Sequence, residues 1–176
     1  MSTVRQSRGT GPDSLPSGAI LAIDYGRVRI GLALAESADA APQPLGTLDR
    51  VNRNEDMRRL RELARDYGVR QIVVGLPLRL DGSAGDMAEE ARRFAARVGK
   101  QISLPVQLVD ERLTSWEAER VMEDEFGRKS KVTSGASNKK ASSAKGAERI
   151  SVDSVAATII LREYLEGRVK TAPEAG

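Results

Sequence analysis

Ala19-Ile20-Leu21-Ala22-Ile23-Asp24-Tyr25-Gly26, running on into Arg27-Val28-Arg29-Ile30-Gly31-Leu32-Ala33-Leu34-Ala35, is the stretch that decides how this chain folds. An unbroken apolar run reads as a strand buried on both faces. It ends at one carboxylate, Asp24, with glycine two residues on. A second apolar run begins at Ile30, which predicts a hairpin through Gly26–Arg29. Gly26 and Gly31 are expected to supply unusual backbone angles or to let a ligand approach the main chain. An acid at the mouth of a central strand is costly to bury unless a cation neutralises it. Asp24 is therefore the first candidate for chemistry, set against the ordinary role of Asp as a turn or capping residue.

Composition narrows the chemistry sharply. The 176 residues are enough for one domain with a proper core. The chain has no cysteine and no histidine. That excludes disulfides, thiolate and imidazole metal sites, cysteine nucleophiles and every Ser-His-Asp arrangement. A metal here must be held by oxygen, which favours hard cations such as Mg²⁺ or Mn²⁺. Residues 1–18 are polar and rich in Gly, Ser and Pro, and are expected to form a disordered tail without a signal-peptide core. No apolar run reaches membrane-spanning length, so a cytoplasmic protein is expected. The net charge is +3, but it is unevenly spread. Between 127 and 149 stand seven basic residues and one acid, a local charge of +6 that leaves −3 for the rest of the chain.

After the hairpin, residues 38–44 read as a loop and Leu45–Leu48 as a short strand. Met57, Leu60, Leu63, Ala64 and Tyr67 recur at helical spacing within 52–67, and Gly68 stops that helix. Gln71–Gly75 is a further buried strand, leading into the loop Leu76–Ser83 with turn chemistry at Asp81-Gly82. Met87, Ala91, Phe94 and Val98 mark one face of a second helix, and Val106–Val109 the next strand. Strand, helix, strand in this order predicts a parallel βαβ unit with a right-handed crossover. That strand runs into Asp110-Glu111-Arg112, at the carboxyl end where open α/β sheets place ligands. Thr114 and Glu117 form a capping box for a following helix. Residues 124–149 lack apolar periodicity and are expected to form a flexible basic loop. Ser151 opens a last helix whose apolar stripe reads Val152, Val155, Ala156, Ile159, Ile160 and Tyr164, with Asp153 in its first turn. One domain over 19–170 is expected.

Asp24, Glu111 and Asp153 are thus placed at the ends of three elements that can converge. Carboxylates without His or Cys form a hard-cation site, and two such ions can hydrolyse a phosphodiester without a protein base.

Four motifs in this order carry a resemblance: Asp24-x-Gly26-x-x-Arg29-Ile30-Gly31-x-Ala33, Gly75-Leu76-Pro77-Leu78 with Asp81-Gly82-Ser83, Asp110-Glu111-Arg112-Leu113-Thr114, and Asp153-x-x-Ala156-Ala157. Together they resemble the YqgF family, the RuvX-type Holliday junction resolvases also described as pre-16S rRNA nucleases. The resemblance covers roughly 19–123 and 150–166. It implies an α/β, ribonuclease H-like fold, a mixed five-stranded sheet flanked by helices. It implies that Asp24, Glu111 and Asp153 are catalytic ligands to Mg²⁺ or Mn²⁺. Resolvases of this fold class carry a fourth acid near the last one; here Ser154 follows Asp153, and the next acid is Glu163. Nucleic acid, either pre-rRNA or branched DNA, is the expected partner. Arg29, Arg112, Lys129, Lys131, Lys139 and Lys140 are the candidates to hold it. Ribosomal particles are a further expected partner, and the protein is expected to be a monomer or homodimer.

The first expectation is a metal-dependent endonuclease that matures the 5′ end of 16S ribosomal RNA. Junction resolution is its near alternative. A non-catalytic assembly factor binding RNA through 127–149 is the reading from another class. Asp-x-Gly also opens the phosphate loops of actin-like and sugar kinases, but the chain has no second Gly-rich loop.

Overall fold

In the computed structural model, residues 17–111 and 151–167 are described. Residues 1–16 of the tail expected over 1–18, the helix expected after Thr114 and the loop at 124–149 lie outside the described residues. So do Arg112, Lys129, Lys131, Lys139 and Lys140. In chain order the elements are β1 (Ala19–Tyr25), β2 (Arg29–Ala35), β3 (Gln43–Asp49), α1 (Arg53–Asp66), β4 (Val69–Leu76), α2 (Asp86–Ile102), β5 (Val106–Asp110) and α3 (Val152–Leu165). The five strands form one mixed sheet in the order β3-β2-β1-β4-β5. β1 lies at its centre, antiparallel to β2 and parallel to β4, which is in turn parallel to β5. The expected hairpin and βαβ unit are both present.

Side-chain alternation sorts each strand between two layers. Leu21, Ile23, Ile30, Leu32, Ile72, Val74 and Leu108 face α1 and α2, packing on Met57, Leu60, Phe94 and Val98. Ile20, Ala22, Ala33, Ala35, Val73 and Val109 face the other way, onto Ala157, Ile160 and Leu161 of α3. The second face is the smaller-residue face, and that lets α3 lie close to the backbone of the sheet.

Local chemistry fixes the ends of the helices. Asn52 Oδ1 caps α1 by accepting from the backbone N–H of Asn54 and Glu55, at 3.1 and 3.0 Å. Gly68, at φ +62°, ends the turn that follows. The third strand is longer than the four residues expected. Its extension includes Pro44, which an edge strand tolerates, opposite a register shift between Leu32 and Ala33.

The stripe predicted for α3 is rotated in the structure. Val152 is 84% exposed, whereas Ser154 and Thr158 are fully buried. Both hydroxyls find main-chain acceptors on their own helix, Ser154 Oγ donating to Ser151 O at 2.9 Å and Thr158 Oγ1 to Ser154 O at 2.7 Å. A hydroxyl satisfied within one turn is compatible with an apolar contact, so polarity misplaces the buried face here.

Candidate active site

Asp24 lies in register with Gly31 across the β1–β2 ladder, and Gly75 with Val109 across β4–β5. By alternation Asp24 shares the face of Ile20 and Ala22, and Gly31 that of Ala33 and Ala35. Both therefore lie on the side covered by α3. The two glycines are not turn residues, and neither has a positive φ. Each leaves out a Cβ that would collide with one of the acidic residues, with its main chain at Gly31 and its carboxylate at Gly75. A Cβ on Gly31 would overlap the Asp153 carbonyl and come within 3.0 Å of its Cβ. A Cβ on Gly75 would overlap Glu111 Oε1 and sit 2.6 Å from Ile160 Cδ1. The close approach expected at Gly31 is thus made by the protein's own helix. Gly26, likewise without a positive φ, is needed because a Cβ there would strike the Arg29 carbonyl.

These contacts bring Asp153 and Glu111 onto the sheet face that carries Asp24. Burial, followed by repulsion from Asp153, raises the Asp24 carboxyl from its ordinary 3.8 to about 6. Glu111 is pushed from 4.5 to about 7, first by burial, then by Asp24 and Asp110. Asp24 therefore stands electrostatically between the other two. Among the described residues no cation pairs with it. Asp110 is buried and, one residue on from Val109, alternates to the other face of β5, although its charge still acts on Glu111.

Asp153 is held differently. Ser151 caps α3, its Oγ accepting from Ser154 N at 3.1 Å while Ser154 Oγ accepts from Ser151 N at 3.0 Å. Thr47 Oγ1 hydrogen-bonds Ser151 Oγ, tying that cap to β3. Ser154, where a fourth acid would follow Asp153, thus has a capping role. The Asp153 carboxylate makes an ion pair, Oδ2 lying 3.0 Å from Arg29 Nε.

The hairpin tip beside the acids is braced from the opposite layer. Arg27 makes a two-pronged contact with Glu90 of α2, at 2.8 and 3.2 Å. Arg50 donates to Tyr25 Oη at 3.0 Å and to the Gly26 carbonyl at 3.1 Å, and is paired at 3.0 Å with the buried Asp56. Sequence reading missed Arg50, Ser154 and the purpose of Gly75. An isolated Arg after a strand carries no signal, but a glycine inside the Gln71–Gly75 strand does.

The donor set suits a hard divalent ion: oxygen only, two carboxyls raised by burial and mutual repulsion, and no cation on Asp24. As placed here, no group of three acidic side chains among the described residues is arranged to hold an ion. The Asp153 carboxylate rests on Arg29.

A family model described as RuvX, Holliday junction resolvase, matches residues 18–167. A Koribacter versatilis protein named "Putative pre-16S rRNA nuclease" is 42% identical over 151 residues, covering 86% of this chain and 88% of that protein. A Thermosynechococcus vestitus protein of the same name is 33% identical over 154 residues, covering 88% and 91%. Among solved structures, Thermus thermophilus RuvC in complex with Holliday junction substrate superposes with a TM-score of 0.53 at 14% identity, covering 88% of this chain and 99% of that one. At that identity the likeness speaks for the fold, which is ribonuclease H-like.

Proposed function

The chain belongs to the RuvX family, and from that premise we propose that it is a divalent-metal-dependent endonuclease acting in 5′-end maturation of pre-16S ribosomal RNA. What supports this reading is that Asp24 stands close enough to Asp153 and to Glu111 for their charges to interact, and that Gly31 and Gly75 leave room beside it for Asp153 and Glu111. Asp24 and Glu111, with Asp153, would hold Mg²⁺ or Mn²⁺. Such an ion supplies an activated water and neutralises charge on the departing oxygen. The chain's own residues supply orientation. Asp24 and Glu111 are fixed by strand ends, Asp153 by a capped helix, and the hairpin beside them by Arg27 and Arg50. Arg29 and Arg112, with the lysines at 129, 131, 139 and 140, would bind the phosphate backbone. No side chain need act as a general base, which agrees with a sequence free of histidine. A pre-rRNA substrate would place the work in the cytoplasm, on or beside ribosomal particles.

The test is to incubate the protein with 5′-extended 16S precursor RNA, a four-way DNA junction and single strands, each with Mg²⁺, Mn²⁺ or EDTA. Cleavage of the precursor is expected with metal only, and not from Asp24→Asn. Metal-independent binding without cleavage would replace this reading with an RNA-binding assembly factor. The family's own description favours branched DNA as the second reading. Cleavage of the junction with the precursor left intact would establish it.

A further inference from the structure

Arg29 opens β2 and, by alternation with Gly31 and Ala33, lies on the face that α3 covers. Its side chain is 57% exposed, and that of its partner Asp153 30%. An ion pair this open to water contributes little. Asp153 does not depend on it for placement. Its main chain packs directly over Gly31, and the Ser151–Ser154 cap sets the start of the helix. The nearest contact of the pair runs through Arg29 Nε. Arg29 is therefore loosely occupied, next to the acids, and equipped with a planar fork that suits a phosphate.

We propose that Arg29 is a positioning residue that serves as counter-ion to Asp153 while no divalent ion is bound, and turns to a substrate phosphate once Asp153 is engaged by the ion. The inference rests on the reading of Asp24, Glu111 and Asp153 as one metal site. It makes metal and nucleic acid reciprocal partners. Arg29 competes with the ion for Asp153, so drawing it onto a phosphate strengthens ion binding, and by linkage the ion strengthens phosphate binding to the same extent.

Two titrations test this on the full-length chain and its Arg29→Gln and Arg29→Lys variants. In the first, Mn²⁺ alone is titrated by calorimetry. Arg29→Gln is expected to bind it several-fold tighter than wild type, and Arg29→Lys to stay near wild type. In the second, a fluorescent 20-nucleotide RNA is titrated in EDTA or in Ca²⁺, and its integrity is checked on a gel afterwards. Arg29→Gln should match wild type within about two-fold in EDTA and lose roughly ten-fold in Ca²⁺, the scale of one charge-assisted contact. Arg29→Lys should recover part of that loss. Weaker Mn²⁺ binding by Arg29→Gln would make Arg29 a strut for Asp153 and overturn the proposal. Equal losses in EDTA and Ca²⁺ would make it a permanent phosphate contact, which also overturns it. Failure of the underlying metal reading looks different: wild type itself would take up no Mn²⁺, or Asp24→Asn would bind it unchanged.

Discussion

Glu111 Oε1 occupies the space that a β-carbon on Gly75 would need. The neighbouring strand β4 and the acid thus compete for one volume, and glycine settles the competition in favour of the carboxylate.

Gly75→Ala should therefore destabilise the protein by about 1–3 kcal/mol, as overpacking of a rigid interior does. It should also displace Glu111, and with it the melting-temperature gain produced by Mn²⁺. Gly99→Ala is the control. That glycine lies inside α2, where a Cβ would stand 3.3 Å from Val106 Cγ2, and alanine favours the helix. Thermal melts with and without Mn²⁺ decide the matter; a Gly75→Ala protein with wild-type melting and metal response would show that the space is not contested.

The raised acids predict a pH dependence in metal-free protein. Asp24 moves from 3.8 to about 6 and Glu111 from 4.5 to about 7, so the folded state holds these protons more tightly than the unfolded chain. The stability they contribute is complete below about pH 4 and is lost as pH rises through 6 to 7. Asp24→Asn keeps the shape and removes the charge. At pH 8 the metal-free variant should be more stable than wild type by about 1–3 kcal/mol, since each tenfold difference in proton affinity between folded and unfolded chain is worth about 1.4 kcal/mol. The gap should close toward pH 4. Denaturant melts at the two pH values measure it. Mn²⁺ at pH 8 should raise the melting temperature of wild type and leave the variant almost unmoved.

Arg50 supports the hairpin from below the site. Arg50→Met leaves Asp56, only 3% exposed, without its cation, although the backbone N–H of Val51 still donates to it at 3.3 Å. A loss of about 2–4 kcal/mol is expected, somewhat below that of a buried charge left wholly unpaired. The double variant Arg50→Met with Asp56→Leu should recover part of it. Equal losses in the single and double variants would mean that the pair carries no coupling energy.

Deleting 127–149 removes a net charge of +6. If the segment tracks a phosphate backbone, RNA binding should weaken alike for all sequences. The log–log salt slope should flatten by about 0.7 per lost single-strand contact. Fluorescence titrations across a salt series would show it, and an unchanged slope would assign the segment to a linker.

The sheet is legible in the sequence because its strands are written as uninterrupted apolar runs with an acid or glycine at the end. Asp24 and Glu111 can be placed for the same reason, each closing a strand at the edge where ligands bind. What escapes is anything set by contact across layers. The buried face of α3 is misread because Ser154 and Thr158 look polar in sequence yet satisfy themselves within the helix. Gly31 reads as a place for a ligand or an unusual backbone angle and Gly75 simply as the end of a strand, since no local pattern says that a helix carbonyl or a distant carboxylate will fill the gap. The Arg29–Asp153 pair joins residues far apart in the chain, and only the docking of α3 brings them together.

The docking of α3 also sets an order in time. A chain emerging from the ribosome presents its strands and their two acids first, while Asp153 is added roughly forty residues after Glu111. At 5–20 residues per second, that leaves the nascent chain for about 2–8 s with Asp24 and Glu111 made and their third partner still to come. If Asp153 is the third ligand of the proposed site, that site is complete only once α3 has been built.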